Sequence, residues 1–226
     1  INEKRVIGFA RVLSHLGRGR PRELVALALD KIGKREHRIQ SRRDRWPGAR
    51  PAPARRRLGP DRSRIRRAGA DLYNHLGGKG KVFFSNTHFD TTRANIEFSG
   101  AKAIDCPIEE ALHPDVLHPF KGNLNTRKLQ KNIEEYGAEN VGAVILTVTN
   151  NSGGGQPVSM ENAKAVSEIC REHGILFILD ACRIAENAWF IHQREEGYAD
   201  KTYREIAQEM FGLADGGIMS AKKDAL

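Results

Sequence analysis

From about Ala68 onward, apolar and polar positions fall into two alternating kinds of block. Lys81–Ser85 and Ala101–Cys106 read as short strands, and nearly unbroken apolar runs stand at Val141–Val148 and Ile175–Leu179. Runs of that length without a polar side read as strands buried on both faces. Between them the spacing turns helical. A loop over Asn86–Thr92 opens a helix through Arg93–Phe98. Asn125 is placed to cap a helix with Leu129, Ile133 and Tyr136 on one face, stopped by Gly137. Ser159 is placed to cap one that buries Ala163, Val166, Ile169 and Cys170 and closes at Gly174. Thr202-Tyr203-Arg204-Glu205 has capping-box spacing and leads into Ile206, Met210 and Phe211. Strands alternating with helices at this spacing predict a parallel α/β sheet.

Residues 1–67 carry no such pattern. Glu23–Lys31 could form a short helix through Leu24, Leu27 and Ala28, but arginine pairs and triplets follow, interrupted by Pro47-Gly48, Pro51 and Pro53. Low hydrophobicity with high net charge predicts irregular chain. These residues hold 21 Lys and Arg against 6 Asp and Glu, a net of +15. Of the 37 basic and 28 acidic residues in the whole chain, 16 and 22 therefore fall after residue 67, a net of −6. The overall +9 describes neither part. Three alternatives stand for the basic stretch: disordered surface, a miscoded segment of the kind a GC-rich gene gives in the wrong frame, or a phosphate-binding arm. With no recognisable module and no aromatic interleaving beyond Trp46, nucleic acid is not the expected partner.

The remaining composition narrows the setting. Cys106, Cys170 and Cys182 have neither CxxC nor metal-ligand spacing, which fits a reducing cytoplasm. No signal-peptide h-region follows the basic start, so secretion is not expected, while an Arg-rich, acid-poor leader is also the composition of an organelle transit peptide. Apolar runs such as Leu24–Leu29 and Val141–Val148 are too short to span a bilayer, so no membrane association is expected. His88, His113 and His118 lack ligand partners at defined spacing, and no metal site is expected from them.

The candidate chemistry lies where the Ile175–Leu179 strand runs into Asp180-Ala181-Cys182-Arg183, and in Met219-Ser220-Ala221-Lys222-Lys223-Asp224. A strand ending in Asp puts a fixed negative charge at the carboxyl edge of a sheet, where open α/β proteins hold ligands. An Asp there, with a nearby Arg and a Lys on a neighbouring strand end, is the set pyridoxal phosphate (PLP) uses. The Asp keeps the pyridine nitrogen protonated, the Lys binds the aldehyde carbon, and the Arg meets the phosphate.

Four long motifs, in order, carry a resemblance. They are Asn86-Thr87-His88-Phe89-Asp90-Thr91-Thr92-Arg93; Thr149-Asn150-Asn151-Ser152-Gly153-Gly154-Gly155-Gln156-Pro157-Val158-Ser159; Asp180-Ala181-Cys182-Arg183-Ile184-Ala185-Glu186-Asn187-Ala188-Trp189-Phe190-Ile191; and Met219–Asp224. Together they resemble the PLP-dependent β-eliminating lyases, the family of tryptophan and tyrosine lyases, over about residues 72–226. The resemblance implies an α/β fold, the large domain of the fold-type-I PLP-transferases, with a mostly parallel sheet flanked by helices. It implies PLP as cofactor and potassium as a monovalent cation whose ligands are not identifiable here. The implied partners are a small amino-acid substrate and further copies of the chain, a homotetramer in the family.

It also implies roles, each attached to a matching position. Phe89 would stack on the cofactor ring, with Asp90 beside it. Asn151 would hydrogen-bond the 3′-oxygen, Asp180 would pair the ring nitrogen, and Arg183 would bind the phosphate or the 3′-oxygen side. Ser220 would donate to the phosphate. Lys223 would hold the cofactor covalently, and Lys222 would tune the site's charge and join in proton transfer. The implied reaction removes the α-proton of an aromatic L-amino acid and expels its side chain as indole or phenol, leaving pyruvate and ammonia. Asp90 stands where the tryptophan-cleaving branch carries Asp and the tyrosine-cleaving branch tends to carry Thr, which tilts the expectation to tryptophan. A threonine-aldolase-like lyase and an inactive remnant with a nucleic-acid-binding arm are the alternatives.

Two parts of the family pattern are missing. Ile65-Arg66-Arg67-Ala68-Gly69-Ala70-Asp71 matches only the tail of a Gln-Gly-Arg phosphate loop. The smaller domain that would follow Lys223, and would bring the arginine for the substrate carboxylate, is not represented. The expectation is therefore a basic segment over 1–67 and a partial PLP-binding domain over 68–226, weakly active or inactive alone.

Overall fold

Strand pairing sets the architecture of the computed structural model, which describes residues 72–219 and Lys223. Five strands, β1 (Val82–Ser85), β2 (Lys102–Asp105), β3 (Val141–Thr147), β4 (Phe177–Asp180) and β5 (Gly216–Ile218), form one sheet in the order β2-β1-β3-β4-β5. Every pairing is parallel. Parallel neighbours need long crossovers, and five helices help to supply them: α1 (Asp90–Phe98), α2 (Thr126–Tyr136), α3 (Met160–Glu172), α4 (Ile184–Arg194) and α5 (Tyr203–Leu213). The α/β fold expected from the sequence is the one observed. The segment over 1–67, with its Glu23–Lys31 helix, and the Ile65–Asp71 motif lie outside the described residues.

Side chains alternate across the sheet, so its two faces build two cores. Phe84, Val144, Leu146, Phe177 and Leu179 join one cluster with Leu129 and Ile133 of α2, Val166 of α3, Ile191 of α4 and Ile206 of α5. Phe83, Ala143, Ile145 and Ile178 face the other way and pack with Ile96 of α1 and with Leu72 and Tyr73. The Tyr73 and Phe83 rings meet edge to face at 5.8 Å. Burial on both sides explains why β3 reads as a continuous apolar run.

The caps form as their residue types predict. Asn125 accepts from Lys128 N at 3.0 Å, Ser159 accepts from Asn162 N at 3.1 Å, and Thr202 and Glu205 close a reciprocal box. Boundaries differ in ways the hydrogen bonds explain. Helix α1 starts at Asp90, three residues early, because Phe89 already takes the cap position and Asp90 suits the first turn. Ile175 N donates back to Cys170 O, so β4 begins only at Phe177.

Two elements were not expected. Helix α4 is held by Asn187, whose buried amide donates to Val158 O and accepts from Val158 N, both at 2.9 Å. Strand β5 opens on Gly216-Gly217, poor strand formers. A Cβ on Gly217 would stand 3.2 Å from the Phe211 ring, so a larger residue there would require that ring to shift by a few tenths of an ångström. Asp215 anchors the start of β5, exchanging two 2.9 Å bonds with the Phe177 backbone.

The interior of this sheet is its main source of stability, which a pair of truncations checks. Leu146→Ala, at a wholly buried position, is expected to cost about 2–5 kcal/mol in urea unfolding. Leu117→Ala, at a side chain 97% exposed, is expected to change stability by less than about 0.5 kcal/mol.

Candidate active site

Because all five strands run the same way, their carboxyl ends collect on one edge. Ser85 stands beside Asp105, Thr147 beside Asp180, and Asp180 beside Ile218. Polar residues are buried along this edge and in the loops that leave it: Ser85, Asn86, His88, Thr147, Thr149, Asn150 and Asp180. Buried polar groups must be hydrogen-bonded, and most of these are. Asn86 continues the β1–β3 ladder with its side chain. Its Nδ2 donates to Thr147 O (3.0 Å) and Gly122 O (2.7 Å), and its Oδ1 accepts from Thr147 N (3.0 Å).

Asp180 ends β4 in the middle of this edge and is only 7% exposed. Its Oδ1 accepts from Cys182 Sγ at 3.0 Å. Burial pushes its carboxyl above the ordinary range; bonds from the Cys182 thiol and backbone, and the positive charges of Lys223 and Arg183, pull the other way. Lys223 and Arg183 thus share the electrostatic neighbourhood of Asp180, although Lys223 lies 43 residues further along the chain. Arg183 caps α4, half-buried, with its backbone N donating to Val148 O at 3.1 Å.

The loop after β3 is closed on itself. Asn150 N donates to Gln156 O (2.7 Å), Gly155 N returns to Asn150 O (2.9 Å), and Asn150 Oδ1 accepts from Gly153 N (3.2 Å). Gly154 and Gly155 adopt φ of 86° and 75°, the left-handed region that favours glycine. Asn151 sits in this loop, half-buried, and its side chain makes no hydrogen bond among the described residues. Ser152 Oγ donates to His88 O at 3.0 Å, tying the loop to the segment that holds Phe89. Phe89 is half-buried at the cap of α1, and Asp90 is exposed in its first turn.

The structure therefore gathers Phe89, Asn151, Asp180 and Arg183 on the loops and strand ends of one edge, with the Lys223 charge acting on Asp180. Ser220 and Lys222 lie outside the described residues. Three neighbours escaped the sequence reading. Tyr73 is buried and meets the Thr92 side chain; burial and the nearby Asp180 charge both push its hydroxyl pKa up. Cys182 bonds Asp180, and Asp105 bonds the His88 ring at 2.6 Å. No local pattern could have found the last pair, since 17 residues separate it and only strand adjacency joins it. His113 and His118 serve their own loop, pairing Glu109 at 3.3 Å and accepting from Phe120 N at 3.0 Å. No group of three metal-ligand side chains converges among the described residues, and no helix among them is long and apolar enough to cross a membrane.

Comparison with known proteins gives this edge its context. The family model described as beta-eliminating lyase matches residues 69–226. The tryptophanase of Rhodobacter capsulatus is 53% identical over 160 residues, 71% of this chain and 35% of the relative. The tryptophanase of Salinibacter ruber is 56% identical over 142 residues, 63% of this chain and 30% of the relative. The chain thus spans about a third of the length of the curated relatives it matches. Among solved structures, an archaeal alanine:glyoxylate aminotransferase aligns with a TM-score of 0.50 and 16% identity, over 99% of this chain and 49% of its own. That likeness concerns the fold alone, a parallel sheet flanked by helices. By its sequence over residues 69–226, the chain belongs to the β-eliminating lyase family.

Proposed function

We propose that this chain forms the cofactor-binding part of a PLP-dependent carbon–carbon lyase. The reaction is β-elimination on an aromatic L-amino acid, tryptophan in the first place, to indole, pyruvate and ammonia. The observation that carries this reading is the buried Asp180 carboxylate at the carboxyl edge, with the Lys223 and Arg183 charges acting on it. The names of the relatives and the Asp at position 90 favour tryptophan over tyrosine.

The donor set fits PLP in its chemistry. A dry carboxylate suits a protonated ring nitrogen, because the cation supplies the countercharge that burial otherwise denies the acid. Bound there, PLP supplies an electron sink for charge developing at the substrate α-carbon. The chain's own residues do the rest. Asp180 would keep a proton at the ring nitrogen, and Phe89 would cover one face of the ring. Asn151 donates to the 3′-oxygen, its amide free of other described partners. Arg183 would meet the phosphate or the 3′-oxygen side, and Ser220 would donate to the phosphate. The Lys223 amine would hold the cofactor covalently and would be the base for the substrate α-proton. Lys222 would tune the charge beside it and share in proton transfer, and Asp90 would line the cofactor site beside Phe89. Potassium, a homotetrameric assembly and a cytoplasmic setting belong to the same proposal.

Three experiments check it. Borohydride reduction of the chain with PLP, followed by peptide mapping, is expected to label Lys223. Label scattered over surface lysines, or none, refutes the assignment. Pyruvate release from tryptophan exceeding that from tyrosine is the expected substrate order. The third concerns stability without cofactor. Asp180 has a raised pKa in the fold, so its penalty begins as pH rises past the ordinary carboxylate value of the unfolded chain. The penalty is complete above the raised folded value. Asp180→Asn is therefore expected to raise the melting temperature at pH 7 by a few degrees, on the order of 1 kcal/mol, a gain that fades in acid. An Asn variant less stable than the parent at pH 7 contradicts this account of the site.

A further inference from the structure

Phe89 is fixed from both sides by one carboxylate that belongs to neither its loop nor its helix. Asp105, the last residue of β2, accepts from His88 N at 2.9 Å and lies 2.6 Å from His88 Nδ1, both through Oδ1. Its Oδ2 accepts from Arg93 Nη2 at 2.6 Å. His88 precedes Phe89 and Arg93 follows it by one helical turn, and the backbone closes the circuit with Arg93 N donating to Phe89 O at 2.9 Å. Arg93 Nη1 also donates to Ala103 O at 2.9 Å, and Ser152 Oγ holds His88 O. The residues on either side of the Phe89 ring are thus pinned to β2 and to the loop after β3.

The chemistry at Asp105 fixes the direction of these bonds. Burial pushes its carboxyl up, but the His88 ring and backbone bonds and the Arg93 charge more than offset this and leave it below the ordinary range. An ionised Asp105 only accepts, so His88 Nδ1 carries a proton and donates. The His88 side chain is fully buried, and its Nε2 has no hydrogen-bond partner among the described residues. The ring is therefore held through Nδ1.

We propose that Asp105 is the positioning residue of the ring-covering Phe89, acting through His88 Nδ1 and Arg93, so that the end of β2 sets how Phe89 meets the cofactor. This rests on the reading of Phe89 given above. A ligand role for His88 makes the opposite demand on the ring nitrogens, because it would need Nε2. Asparagine puts an amide donor near the Nδ1 position and glutamine near the Nε2 position, so the two substitutions separate the roles.

The test uses the full chain and two readouts. Without PLP, amide hydrogen exchange is followed over residues 87–92 in the parent and in Asp105→Ala, His88→Asn and His88→Gln. The clamp predicts exchange faster by about tenfold in Asp105→Ala and His88→Gln, and within about threefold of the parent in His88→Asn. With PLP added, the visible circular dichroism of the bound ring is expected to fall by about half or more in the first two and to persist in His88→Asn, with Lys223 still labelled by borohydride in all. Rescue by Gln but not Asn overturns the proposal, as does unchanged exchange in Asp105→Ala. Faster exchange with an unaltered dichroic band overturns the link to the cofactor ring. If Asp105→Ala loses its far-UV signal, the two His88 variants decide alone. Failure of the parent chain to bind PLP would instead sink the proposed function, while the exchange arm still tests the clamp.

Discussion

Removing an ionised carboxylate from water costs several kcal/mol unless a positive group stands beside it. Asp180 is placed where this cost is hardest to avoid, flanked by β3 and β5 and almost wholly covered. Its thiol and backbone bonds from Cys182, and the charges of Arg183 and Lys223, do not bring its pKa back to the ordinary range. A site in this state favours a cation above the strand end. That demand gives a physical reason for a protonated pyridine nitrogen at this position, independent of any family resemblance.

The rest of the edge is organised to present this charge. Parallel pairing brings five carboxyl ends together, and side chains then lock the loops that leave them. Asn86 extends the β1–β3 ladder beyond its last backbone pair, and Asp105 ties the segment around Phe89 to β2. Asn187 fixes α4, and with it Arg183 at its cap, against Val158. The bonds of Asn86 and Asn187 are those of buried polar groups, whose loss leaves partners unsatisfied at about 1–3 kcal/mol each. Such groups hold a site's geometry more tightly than apolar packing alone, because they accept few alternative arrangements.

Much of this was legible in the chain because it is local. The caps at Asn125, Ser159 and Thr202 follow from residue type and spacing, and strands β3 and β4 from nearly unbroken apolar runs. Asp180 and Arg183 were legible as a strand end followed by a charge. What escaped depends on tertiary contact. Gly216-Gly217 is a poor strand former and becomes a strand where Asp215 anchors it to Phe177, close beneath the Phe211 ring. The His88–Asp105 pair and the Tyr73–Thr92 contact join residues 17 and 19 apart through adjacent elements, with no periodic signal. The roles of Ser220 and Lys222 rest on sequence alone, since they lie outside the described residues.

The account turns on whether Asp180 holds a proton on the nitrogen of a bound pyridine ring. Nitrogen-15 NMR of the chain loaded with ring-labelled PLP reads that proton directly. A pyridinium chemical shift in the parent, lost in Asp180→Asn, is the predicted result. A bound but unprotonated nitrogen in the parent would contradict the assignment of Asp180 and the chemistry built on it.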